Sequence, residues 1–144
     1  MKYIAKLLCV PLLLAGAAPL TAQAASSPVN GTYKLTLSIT ATTVPATTNS
    51  ITCDVNLDVE TDGGDSIQES VTGTAVQTSG VFYKCTLTLP YSWQNLAATT
   101  GTVYINYDVN LAGTTANRTH TRALPSISIP ATNSTTSQTD SLKL

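Results

Sequence analysis

Hydrophobic and polar residues alternate one for one along four segments of this chain. The segments are residues 33–41, 53–60, 81–89 and 103–111. Such alternation indicates β-strands with one buried face and one face in solvent. Weaker alternation predicts further strands at residues 67–76, 117–124 and 126–129. No segment shows the apolar stripe that an amphipathic helix requires.

Residues that favour turns separate these segments. Asp62, Gly63 and Gly64 suit a hairpin turn with positive φ angles. Seven short strands joined by such turns predict an antiparallel, Ig-like β-sandwich. Pro90 is predicted to end the strand that contains Cys85, which leaves residues 91–100 as a long connection. Residues 131–144 are predicted to form either a frayed edge strand or a tail.

The first 24 residues have the pattern of a secretory signal peptide. Lys2 and Lys6 precede an apolar stretch, and Ala22-Gln23-Ala24 fits a cleavage site with small residues. The apolar stretch is shorter than the roughly 20 residues that span a bilayer, although a retained N-terminal anchor is the alternative. We therefore expect residues 25–144 to form a single exported domain, periplasmic, secreted or at the cell surface, with no membrane span.

Two cysteines remain after residue 24, and an even number in an exported chain predicts a disulfide. Cys53 and Cys85 both fall on the apolar side of their strands, so the bond should lie in the core. Two buried thiols are the alternative. Tyr83 and Cys85 form a Tyr-x-Cys pattern that resembles the one near the second cysteine of immunoglobulin domains. Trp93 departs from that pattern because it follows both cysteines, so we expect a related architecture rather than an immunoglobulin domain.

Composition leaves little material for catalysis. The chain has seven basic and eight acidic side chains, one histidine and 26 threonines. Near-neutral charge argues against nucleic-acid binding through phosphate contacts. His120 has no second histidine with which to hold zinc, no acid is expected to be shielded from water, and no serine lies in a nucleophile elbow. We expect no enzyme activity, no metal and no cofactor. Arg118, His120 and Arg122 share one side of a predicted strand and could pair with the acids of the segment around Asp54.

Aromatic residues provide the candidate binding site. Phe82 and Tyr104 are predicted to point outward, and Tyr91 and Trp93 to lie on the connection after Pro90. Exposed aromatic side chains grouped together would form a binding face for a sugar or a protein. The alternative is that Tyr91 and Trp93 fold back and close one end of the sandwich.

The low charge, the threonine content and the alternation resemble those of bacterial fimbrial subunits. The resemblance implies an exported, non-enzymatic envelope protein, a structural or binding module that contacts other subunits of a surface assembly. The alternative is a soluble periplasmic or extracellular protein that binds a carbohydrate. The first strand, from Thr32 to Ala41, could either join its own sheet or be donated to a neighbouring subunit.

Overall fold

The computed structural model describes residues 28–42, 50–112 and 118–144. The predicted signal peptide and the segment around Pro45 lie outside the described residues. Within the described parts all regular structure is β-strand, and no helix there is long and apolar enough to cross a membrane.

Eight strands form the fold. They are β1 (Val29–Thr40), β2 (Ser50–Thr61), β3 (Ser66–Thr74), β4 (Val76–Ser79), β5 (Phe82–Trp93), β6 (Gly101–Ala112), β7 (Arg118–Ser128) and β8 (Ser134–Lys143). The four strongly alternating segments correspond to the four 12-residue strands β1, β2, β5 and β6, and two of the segments extend one residue beyond their strand, at Ala41 and at Val81.

The strands form two four-stranded sheets. The first sheet has the order β4-β5-β1-β8 and the second has the order β3-β2-β6-β7. All neighbours are antiparallel except β1 and β8, which run parallel. The β-sandwich is thus confirmed, with eight strands rather than seven. Of the two possibilities for β1, the structure has it in its own sheet, between β5 and β8.

The core lies between the sheets and consists of every second residue of the long strands. In β1 the buried series is Tyr33, Leu35, Leu37 and Ile39, and in β6 it runs from Val103 to Leu111. The disulfide between Cys53 of β2 and Cys85 of β5 joins the two sheets through this core, and both residues are fully buried. The predicted disulfide is therefore confirmed.

The prediction that Pro90 ends its strand is wrong. β5 continues to Trp93, and Pro90 lies opposite Thr32 of β1. On its other side β5 pairs with β4 only through residues 82–84, so β5 is an edge strand at Pro90. A proline is tolerated at such an edge because its missing N–H breaks no hydrogen bond between strands.

The weaker strand predictions are correct only in part. The strand expected at 67–76 is divided into β3 and β4 at Ala75, and the chain passes there from the second sheet to the first. The strands expected on either side of Pro125 are one strand, β7, whose register shifts opposite β6. Of the two alternatives for residues 131–144, the structure has the edge strand, β8, at residues Ser134–Lys143.

Candidate functional site

The four candidate aromatic residues do not form one binding face. Phe82 and Tyr104 are 53% and 43% exposed, whereas Tyr91 and Trp93 are only 5% and 1% exposed. The rings of Tyr91 and Trp93 stack with their centroids 4.2 Å apart. They are buried because β5 continues past Pro90 and places both residues on its inward side. Tyr91 and Trp93 are thus core residues, as the alternative interpretation expected.

Phe82 and Tyr104 lie on opposite outer surfaces of the sandwich. Phe82 belongs to β5 in the first sheet, and Tyr104 belongs to β6 in the second. Each points away from the core because the buried residues of its strand have the opposite parity, from Cys85 to Trp93 on β5 and from Val103 to Leu111 on β6. The two exposed aromatic residues therefore provide two separate contact points.

The outer surface of the first sheet carries only positive charges. We call the outward side chains of β1, β5 and β8 the lysine face. Its charged residues are Lys34, Lys84 and Lys143, all exposed, and its other members are mostly serine and threonine. None of the outward side chains of these three strands is a carboxylate.

The outer surface of the second sheet carries only negative charges. We call the outward side chains of β3, β2, β6 and β7 the carboxylate face. Its charged residues are Asp54, Asp58, Glu60 and Asp108. No lysine or arginine occupies an outward position on these four strands, because Arg118 and Arg122 of β7 pair with the inward residues Leu111 and Tyr107.

Hydroxyl and amide groups hold the acids of the carboxylate face in place. Asp54 and Asp108 lie directly opposite each other on β2 and β6. Thr72 donates a hydrogen bond to Asp54, and the Asn110 side-chain amide donates another at 3.0 Å. Thr121 donates to Asp108. These neutral donors fix the positions of the carboxylates and leave their negative charges unpaired within the face.

A shallow depression of about 330 Å³ lies beside Tyr104 on the carboxylate face. It forms where the register between β6 and β7 shifts between Val103 and Ile105. Two residues of β7, Pro125 and Ser126, then stand opposite one residue of β6, which is a β-bulge. The depression is lined by Asp58, Glu60, Tyr104, Ile105, Asn106, Ala123 and Leu124. An aromatic ring and two carboxylates thus share one concave site.

A second depression, of about 230 Å³, lies nearby on the same face. It is lined by Asn56, Leu57, Asp58, Gln68, Glu69, Ser70 and Asn106. Amide and carboxylate groups dominate this lining, and such groups can both donate and accept hydrogen bonds. The site could therefore hold a ligand rich in hydroxyl groups.

Side chains close the gap between the free edges of β7 and β8. Asp140 of β8 accepts a hydrogen bond of 2.9 Å from the Tyr107 hydroxyl and forms a salt bridge of 3.2 Å with Arg122. Gln138 donates at 3.2 Å to the Pro125 carbonyl oxygen and accepts at 2.6 Å from the Tyr33 hydroxyl. We call this set of contacts the β7–β8 seam.

Burial and the neighbouring Asp140 both raise the pKa of Tyr107 in this seam. Loss of solvent, followed by the hydrogen bond to Asp140 and the charge of Asp140, raises the pKa of Tyr107 to about 12. Burial also raises the pKa of Tyr33. Both tyrosines therefore remain neutral hydrogen-bond donors over the physiological range of pH.

The expected pairing of Arg122 with the acids near Asp54 is wrong, because those acids point outward while Arg122 lies on the inward side of β7.

Glu69 contradicts the expectation that no acid is shielded. It lies on the inward side of β3, together with Ile67 and Val71, and is half-buried. Burial raises the pKa of its carboxyl group, and the nearby Trp93 indole, which favours the charged form, offsets part of this rise. The indole nitrogen is buried and makes no hydrogen bond of regular geometry. The shared parity of residues 67, 69 and 71 could have revealed this acid from the sequence.

The carboxylate of Asp65 has a structural role. It accepts hydrogen bonds from the Thr61 hydroxyl and the Ala97 backbone N–H, so it stabilises the turn after β2. Among the residues that the structure describes, no three His, Cys, Asp or Glu side chains are grouped so that they could hold a metal ion.

The sequence did not reveal the lysine face. Lys34, Lys84 and Lys143 are far apart along the chain, and they share a surface only because β5, β1 and β8 are adjacent in one sheet. The outward positions of Lys34 and Lys84 followed from the alternation, whereas the position of Lys143 and the strand order did not.

No family model, no curated protein and no solved structure matches this chain.

Proposed function

We propose that this protein is an exported, non-enzymatic structural module of the bacterial envelope, of the fimbrial-subunit kind. The observation that supports this role is the position of Phe82 and Tyr104, exposed on opposite outer faces of a disulfide-bonded sandwich. A module with two separated contact points can join two neighbours at once, whereas a receptor for one small ligand needs one site.

Export is tested by expressing all 144 residues in a bacterium that has a periplasm. The expected product is in the periplasmic or extracellular fraction, starts near Ala25 and lacks two hydrogens because of the Cys53–Cys85 bond. Intact-mass measurement of each cell fraction detects both changes. A cytosolic protein with free thiols and an uncut N-terminus would contradict the proposal.

The structural role is tested on the exported protein itself. Chemical cross-linking on intact cells followed by gel electrophoresis should give a ladder of multiples of the subunit mass. A single band at the subunit mass, even at high expression, would contradict a structural role.

The absence of catalysis is tested with the two residues best suited to proton transfer. His120 is the only histidine of the chain, and Glu69 is the half-buried acid whose pKa is raised. His120→Ala and Glu69→Gln should leave the cross-linked ladder unchanged. A hydrolytic or group-transfer activity that is present in the wild type and lost in either variant would make the protein an enzyme.

Carbohydrate binding is the second candidate function. It is favoured by the depression lined by Asn56, Gln68 and Asn106, with the exposed Tyr104 on the same face. A glycan array probed with the wild-type protein and with an Asn56→Ala/Asn106→Ala variant tests it. The second function would be favoured over the first if the wild-type protein bound a defined sugar, the variant lost this binding, and the wild type gave no cross-linked ladder.

A further inference from the structure

The lysine face and the carboxylate face have opposite charge on opposite sides of the same sandwich. Three lysines and no side-chain carboxylate project from the outward positions of β1, β5 and β8. Four carboxylates and no basic residue project from the outward positions of β2, β3, β6 and β7. Each copy of the chain therefore carries a surface that complements the charge of another surface on every other copy.

Each of the two charged faces also has exposed apolar side chains beside its charges. On the first sheet, Val76 lies directly opposite Lys84, and Phe82 precedes Lys84 by two residues on β5. Val76 is 69% exposed. Phe82, Val76 and Lys84 thus form a projecting corner with an apolar part and a positive charge.

The second sheet has a matching concave site. Tyr104 stands opposite Asp58 across β2 and β6, and Glu60 lines the same depression of about 330 Å³. A partner that offers an apolar side chain beside a positive charge would fill the depression and neutralise its rim. The Phe82–Lys84 corner has both groups.

The carboxylate face also benefits from a positively charged partner. Asp54 and Asp108 are directly opposite neighbours on adjacent strands, and like charges in that arrangement destabilise a sheet. Their neighbours within the face are the neutral donors Thr72, Asn110 and Thr121. Lysines brought by a second molecule would relieve this repulsion.

We infer that the lysine face of one copy binds the carboxylate face of the next, with the Phe82–Lys84 corner in the depression beside Tyr104. This inference rests on the proposed structural role and names the partner as a second copy of the chain. The two faces lie on opposite sides of the sandwich, so each contact leaves one face free at either end. A contact of this heterologous kind extends into a row instead of closing into a dimer.

Ionic strength provides the first test. Sedimentation velocity of the purified, disulfide-bonded protein should show oligomers that grow with protein concentration at about 10 mM salt, where the screening length is about 30 Å. At about 1 M salt, where the screening length falls to about 3 Å, the association constant should drop at least about tenfold. A protein that stays monomeric at low salt and high concentration would overturn the inference.

Charge reversal provides the sharper test. The lysine-face variant is Lys34→Glu/Lys84→Glu/Lys143→Glu, and the carboxylate-face variant is Asp58→Lys/Glu60→Lys/Asp108→Lys. Each variant alone has two faces of like charge and should be monomeric. An equimolar mixture restores opposite charges at every contact and should associate again. Fluorescence of Trp93, the only tryptophan, checks that each variant is folded.

Two controls separate the faces from net charge. Asp62→Lys reverses an exposed charge in the turn after β2, which belongs to neither face, and should change association far less than either triple reversal. Phe82→Ser changes no charge and should weaken association at every salt concentration. A mixture of the reversed variants that stays monomeric would overturn the pairing of the faces.

The result also separates this inference from the proposed structural role. Oligomers that form equally well at high salt and in both reversed variants would refute pairing through these faces and leave a structural role through another surface. A monomer that binds a sugar at the carboxylate face and gives no ladder on cells would refute both.

Discussion

Gly31 is opposite Tyr91 on the inward side of the first sheet, and this pair determines how one end of the core is filled. A Cβ atom at Gly31 would overlap the Tyr91 ring and come within 2.7 Å of the Ser134 carbonyl oxygen. Because Gly31 has no side chain, the Tyr91 ring can lie over its backbone and stack on Trp93. A glycine in a strand interior often marks such a close approach.

Gly31→Ala should therefore destabilise the protein by about 1–3 kcal/mol, the usual cost of overpacking a core. Urea unfolding measures this change, and the fluorescence and near-ultraviolet circular dichroism of Trp93 report the displaced stack. Thr32→Ala, in the same strand but on the outward side, is the control. Unchanged stability and spectra in Gly31→Ala would show that the ring does not depend on the glycine.

Glu69 makes stability depend on pH in a defined direction. Burial raises its pKa in the folded state, so the folded protein binds this proton more tightly than the unfolded chain does. The contribution of this group to stability is therefore full below the unfolded-state pKa and is lost as the pH rises through the folded-state pKa.

Glu69→Gln removes this titration. The variant should match the wild type at about pH 4 and be more stable at about pH 7, by less than about 1 kcal/mol because the carboxyl is partly solvated. Urea unfolding at both pH values measures the difference. Glu60→Gln, which removes an exposed outward carboxylate, controls for the loss of charge alone. A variant less stable than the wild type at neutral pH would contradict the prediction.

At the scale of the elements, the β7–β8 seam is a junction between sheets made by side chains. Asp140 combines a part-buried hydrogen bond from Tyr107 with a salt bridge to Arg122, whose side chain is 50% exposed. Removing the buried acceptor leaves a hydroxyl without a partner, whereas an exposed guanidinium is readily solvated by water.

Asp140→Ala should thus cost about 1–3 kcal/mol, and Arg122→Ala less than about 1 kcal/mol. Denaturant unfolding of both variants gives the comparison. In a Tyr107→Phe background, which lacks the hydroxyl, Asp140→Ala should cost less than in the wild type. Equal costs in the two backgrounds would show that the hydroxyl does not contribute.

The seam also explains why β8 was harder to predict than β1. The inward residues Gln138 and Asp140 are polar, and each accepts a hydrogen bond from a tyrosine hydroxyl, Gln138 from Tyr33 and Asp140 from Tyr107. Because hydrogen bonds satisfy them there, the alternation of apolar and polar residues disappears from the sequence. In β1 the inward side chains from Tyr33 to Ile39 are large and buried in the core, and the pattern alone predicted the strand.

The candidate site was predictable only in part, for a related reason. The outward direction of Phe82 and Tyr104 follows from local alternation, which sequence shows directly. Their placement on opposite faces depends on which strands share a sheet, and that depends on long-range pairing. The burial of Tyr91 and Trp93 depends on the edge position of Pro90, which is likewise a property of strand order.

At the scale of the whole molecule, the disulfide connects the lysine face to the carboxylate face, the two surfaces proposed to bind each other between copies. Cys53 precedes Asp54 of the carboxylate face, and Cys85 follows Lys84 of the lysine face. In a row of copies, the bond lies within each subunit between its two contact surfaces. Its loss should therefore lower the stability of each subunit and leave the outward side chains in place while the sandwich remains folded.

The variant Cys53→Ala/Cys85→Ala should lose about 3–4 kcal/mol of unfolding free energy. The bond joins two residues that are 32 positions apart in sequence, and it therefore restricts the unfolded chain. Denaturant unfolding of the oxidised wild type, the reduced wild type and the variant measures this loss, and the reduced wild type should resemble the variant. Under conditions where Trp93 fluorescence shows the variant folded, its salt-dependent association should equal that of the wild type, since the core bond contributes no outward side chain. A folded variant that no longer associates would show that the bond maintains the geometry of the faces. A loss below about 1 kcal/mol would contradict the predicted stabilisation, because other effects would then offset the restriction of the unfolded chain.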